Sequence, residues 1–137
     1  MDATIAALRE RLALAGRIVD AGPDHITVDV RVERPGAPAR HRQLDVSFGR
    51  RQGRPWFVAT AAVGPARDYD ASAALTENGA LAFGALGVLG DLLVARTAGP
   101  LDAVDADVLR ALASLADGAR GLASRPEHVA SLFTHYV

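Results

Sequence analysis

Residues 81–97 read LAFGALGVLGDLLVART, and the fold turns on whether this stretch is one helix or two strands. As a helix it would hold Gly84, Gly87 and Gly90 in its interior, each costing about 1 kcal/mol relative to alanine. As strands it needs only a turn at Gly90-Asp91, with the other glycines marking bulges or close packing. The stretch therefore predicts a hairpin, Leu81 to Leu89 followed by Leu92 to Thr97. Upstream, the run from Trp56 to Val63 is apolar on both parities. Trp56, Val58 and Ala62 share one face, and Phe57, Ala59, Ala61 and Val63 share the other. The last three strands should thus be greasy on both sides, so the side without helices must be covered by something else.

The rest of the chain is more conventional. Ile5, Leu8, Leu12 and Ala15 recur at helical spacing, predicting an amphipathic helix over residues 3–15 with Gly16 as its stop. Ile26, Val28, Val30 and Val32 alternate with polar residues after the Gly22-Pro23-Asp24 turn, as do Leu44, Val46 and Phe48 after Pro35-Gly36-Ala37-Pro38. Residues 70–78 can form a short helix or coil before Asn78-Gly79. Asp102 and Asp105 begin a long helix, residues 103–122, with Val104, Val108, Ala111, Leu112, Leu115, Ala119 and Leu122 as its stripe. Ser124-Arg125-Pro126-Glu127 has the spacing of a capping box, and a last helix would carry Val129, Leu132, Phe133 and Tyr136. The expected architecture is a single α+β domain over residues 1–137. It is an antiparallel five-stranded sheet with helices packed mainly on one face, in the order α-β-β-β-(α)-β-β-α-α.

Composition agrees with one soluble domain. The 137 residues are half apolar and 23% charged, with a net charge of −1, which excludes a disordered chain. There is no cysteine, so disulfides and thiolate metal sites are ruled out, as suits the cytoplasm. No apolar run is long enough to span a membrane, and the charged first residues do not resemble a signal peptide. All fifteen basic residues are arginine and about a fifth of the chain is alanine, a bias expected of a GC-rich bacterial genome.

Catalytic apparatus is not visible. His25, His41, His128 and His135 have no metal-ligand spacing, no serine sits in a nucleophile elbow, and there is no lysine for a Walker loop or Schiff base. The spacing of Gly84, Gly87 and Gly90 is not that of a dinucleotide fingerprint. The helix dipole explains Asp102, Asp105 and Asp107, and an exposed loop explains Asp68 and Asp70. No enzyme, metal or cofactor is expected. The strongest polar anomaly is residues 31–54, where seven arginines face only Glu33 and Asp45. Arg40, Arg42, Arg50, Arg51 and Arg54 could receive an anion or nucleic acid, since guanidinium forks suit oxyanions. Against this, charge is common on solvated strands, and the sequence pI of about 6.4 disfavours nucleic acid.

The hairpin that ends in Ala98-Gly99-Pro100-Leu101-Asp102, followed by the helix Ala103 to Leu122 with its late Ala116-Asp117, resembles the bacterial YbjN and type III secretion chaperone-like proteins. The similarity in element order covers nearly the whole chain. It implies a small, non-enzymatic, often dimeric protein that binds other proteins. The chain departs from secretion chaperones in being near neutral, with a basic stretch and an extra C-terminal helix. The leading expectation is a cytoplasmic protein-interaction or chaperone-like module, with Trp56, Phe57, Leu81, Phe83, Leu92 and Val94 in the contact area. The exposed sheet face would be covered by a homodimer partner or by the terminal helix carrying Leu132 and Phe133.

Overall fold

A computed structural model describes residues 2–80 and 84–120, apart from the side chains of residues 2–4, 71, 75, 77, 79 and 80. The described chain runs α1 (Asp2–Ala13), β1 (Gly16–Ala21), β2 (His25–Arg34), β3 (Ala37–Arg51) and β4 (Arg54–Pro65). After a 3-10 turn come α2 (Ala71–Ala80), β5 (Ala85–Leu89) and β6 (Leu92–Pro100), then a second 3-10 turn and α3 (Ala106–Ala119). The class is α+β, and the strands form one antiparallel sheet in the order β1-β2-β3-β4-β6-β5.

The sheet has six strands, not the five expected, and the element order changes accordingly. The strand missing from the sequence reading is β1. Its residues Gly16-Arg17-Ile18-Val19-Asp20-Ala21 lack clean alternation, because an edge strand with a register break between Ile18 and Asp20 buries little. Gly16 does not merely end α1. A Cβ there would stand 2.0 Å from the Asp29 carbonyl oxygen, so glycine is what lets β1 approach β2.

Residues 85–100 are the hairpin, with Gly90 at φ 63° in its turn. The turn between β3 and β4 is tighter still: Gln52 and Gly53 both have positive φ, 52° and 76°, as a type I′ connection requires. Asn78-Gly79 does not break the chain, since α2 continues to Ala80. Its start is capped by Asp70, whose carboxylate accepts from the Ala73 N–H at 3.1 Å.

One face of the sheet carries the core. Ile26, Val28 and Val30 of β2, Leu44 and Val46 of β3, and Phe57, Ala59 and Ala61 of β4 meet Leu8 and Leu12 of α1 and Leu109, Leu112 and Ala116 of α3. Each large aliphatic side chain so buried contributes about 1.5–3 kcal/mol. The Asp105 carboxylate caps α3, accepting from the Val108 N–H at 2.9 Å. The buried stripe of α3 is rotated from the expected one: Leu109, Ala113 and Ala116 are buried, Val108 and Leu115 only partly, and Ala111 is exposed. Four of the six buried residues of α3 are alanines, Ala106, Ala113, Ala116 and Ala119, small enough to permit close helix–sheet packing. The proposed last helix, with Val129, Leu132, Phe133 and Tyr136, lies outside the described residues, as do Leu81 and Phe83.

Candidate functional site

Strand register divides the face of the sheet that is helix-free among the described residues into two halves. On β2 and β3 it presents His25, Thr27, Asp29, Arg31, His41, Gln43, Asp45 and Ser47. Three pairs form here: the Thr27 hydroxyl donates to Asp45 at 2.7 Å, Arg31 pairs with Glu33 at 2.8 Å, and His41 meets Asp29 at 3.4 Å. On β4, β6 and β5 the same face presents Trp56, Val58 and Ala62, then Leu92, Val94 and Ala98, then Gly87 and Leu89. Only Thr60 and Arg96 interrupt this apolar half. Leu89 is 58% exposed and Leu92 39%, and the neighbouring Val88 is 64% exposed.

The register also sorts the interaction residues named from sequence. Trp56, Leu92 and Val94 lie on the helix-free face, where Val94 is buried between Ala62 and Gly87 while Leu92 is exposed. Phe57 points the other way, into the core, opposite Phe48 and against Gly99. Val58 and Leu89 were missed, although Val58 shares the parity of Trp56 and could have been found by it.

The outer edge of this half is plugged. The Asn78 side chain donates to the Leu86 carbonyl at 2.8 Å and accepts from the Leu86 N–H at 2.7 Å, doing for β5 what a neighbouring strand would do.

The arginine-rich segment is likewise split. Arg40 and Arg42 face the helices, where both reach the Asp117 carboxylate of α3, at 3.4 and 3.2 Å. Burial pushes the Asp117 pKa up, but the Arg42 hydrogen bond and the charges of Arg40, Arg42 and Arg34 outweigh it and hold the carboxyl below its ordinary range. These two arginines are committed to the fold.

Arg50, Arg51 and Arg54 lie at the other end of β3 and β4, around Trp56. The Arg51 guanidinium stands 5.8 Å from the indole centroid, and Arg50 donates to the Gly53 carbonyl. Two cavities share Trp56. One, of about 280 Å³, is lined by Ser47, Gly49, Arg50, Arg51, Val58 and Arg96 among others. The second, of about 540 Å³, lies between Arg11, Arg54, Pro55, Pro100, Leu101 and Asp102. Arg11 and Arg96 were not singled out from sequence, because they come from α1 and β6, far along the chain from residues 31–54. Arg96 is nonetheless the only charged residue of β6, a signal that parity could have used.

A third polar group sits on the β1–β2 hairpin. The His25 ring meets Asp20 at 3.2 Å and Asp24 at 3.3 Å, and these hydrogen bonds raise its pKa. The hydrogen bond from His25 in turn lowers that of Asp20. Among the described residues no three metal-ligating side chains come together, and no helix is long and apolar enough to cross a membrane. Comparison with family models, curated proteins and solved structures gave no match for this chain.

Proposed function

We propose that this protein is a non-enzymatic, cytoplasmic interaction module of the chaperone-like kind, which holds a segment of a partner protein against the helix-free face of β4, β6 and β5. The observation that carries this reading is the apolar half of that face, running from Trp56 through Val58 and Ala98 to Leu92 and Leu89 beside a polar half that is internally paired. Apolar surface exposed to water on both sides of the Thr60–Arg96 pair is unfavourable unless it is covered in use. Because the Asn78 amide already occupies the Leu86 edge, the partner would engage side chains on the face and not extend the sheet.

The test pairs light-scattering mass with suppression of aggregation of a chemically unfolded client. The wild-type chain is expected to hold the client or to associate with itself. Leu89→Arg and Ala98→Arg, both at exposed positions, should abolish this while leaving stability within about 0.5 kcal/mol. A strictly monomeric mass with no effect on the client, or unchanged behaviour in both variants, would overturn the reading.

A further inference from the structure

We infer that the end of the sheet around Trp56 binds a ligand that joins a phosphate to a planar ring, the chemistry of a nucleotide, either free or within a single strand. Arg50 and Arg51 of β3, Arg54 of β4, Arg96 of β6 and Arg11 of α1 line the two cavities that meet at the indole. None of the five forms an ion pair among the described residues. Asp102 is the one carboxylate lining either cavity, and Arg11 reaches its backbone carbonyl. Arg51 and Arg54 are directly opposite each other across the tight turn, a like-charge pairing that disfavours the hairpin unless an anion joins them.

The ring requirement comes from Trp56. Its indole is only partly buried and carries the Arg51 guanidinium, while its Nε1–H is buried without an acceptor among the described residues. The larger cavity adds Pro55, Pro100 and Leu101 as an apolar floor, and its volume of about 540 Å³ suits a small organic molecule. Guanidinium groups beside an aromatic platform are what stacking and phosphate contact together require. Arg40 and Arg42 take no part, since Asp117 holds them at the other end of β3.

Trp56 is the only tryptophan, so its fluorescence reports directly on the site. The full chain is titrated with inorganic phosphate, adenosine, AMP and a short oligothymidylate. AMP should bind about tenfold or more tightly than phosphate or adenosine alone, the contribution expected of one stacked ring beside one charged contact. Arg51→Ala and Arg54→Ala should each weaken it severalfold and flatten its salt dependence, while Arg31→Ala on the polar half leaves it unchanged. If the oligonucleotide binds more tightly than AMP and with a steeper salt slope, the ligand is a strand; if it binds no more tightly, the ligand is the free nucleotide. Equal affinity for phosphate, adenosine and AMP would overturn the inference, as would an equal loss in Arg31→Ala.

Discussion

The two halves of the helix-free face are built from the same antiparallel ladder but meet water differently. On β2 and β3 polar side chains pair with one another, as Thr27 does with Asp45, Arg31 with Glu33 and His41 with Asp29. On β4, β6 and β5 the corresponding positions, apart from Thr60 and Arg96, are filled by the apolar Trp56, Val58, Ala98, Leu92 and Leu89. The second half leaves apolar area uncovered among the described residues, and the arginines around Trp56 stand at one end of it. The halves are also anchored by different means: the polar half by Arg40 and Arg42 on Asp117, the apolar half by the Asn78 amide on Leu86.

Breaking the first anchor should have the largest effect. Asp117→Ala strands the half-buried Arg40 and largely buried Arg42 without a counter-charge, and should cost about 2–3 kcal/mol in chemical denaturation. Loss of that size would leave client holding by the apolar half intact under conditions where the variant is folded. Asn78→Ala removes two hydrogen bonds at a partly buried edge and should cost about 2 kcal/mol. Its signature is local: faster amide exchange at Leu86 and its neighbours, with exchange on β2 and β3 unchanged.

The smallest effect is the titration of His25 on the β1–β2 hairpin. His25 has a pKa raised above its ordinary 6.5, so its contribution to stability is fully present below 6.5 and is lost as pH rises through the raised value. Asp20 and Asp117 have pKa values lowered below 3.8, so theirs is present above 3.8 and lost as pH falls through the lowered values. The protection of β1 and β2 amides, corrected for the base-catalysed rise of the intrinsic exchange rate, should therefore fall from neutral to alkaline pH in the wild type and stay level in His25→Gln. A pH profile identical in the two proteins would remove His25 from this account.

Much of the fold was legible because hydrophobic period is a local property. Alternation on β2 gave Ile26, Val28, Val30 and Val32 as inward residues, and the glycines of residues 81–97 gave the hairpin. Gly16-Arg17-Ile18-Val19-Asp20-Ala21 was not legible as a strand, since a bulged edge strand needs little alternation to be stable. The stripe expected around α3 was right at Val104, Leu112 and Ala119 and wrong at Ala111, which is exposed, while the buried Leu109, Ala113 and Ala116 were left out. The candidate site was legible only in pieces. Trp56, Arg50, Arg51 and Arg54 are neighbours in sequence, whereas Arg11 and Arg96 arrive through α1 and β6.

By itself the sequence determined that the chain is an α+β domain, that its last strands are apolar on both parities, and that basic charge is concentrated in residues 31–54. These follow from the spacing of side chains along one strand or helix. Tertiary structure decided which parity faces the helices, that Arg40 and Arg42 turn inward to Asp117, and that Arg11, Arg54 and Arg96 converge on Trp56. The reason is that strand register sets which of two faces a residue occupies, and register is fixed by pairing between segments far apart in the chain.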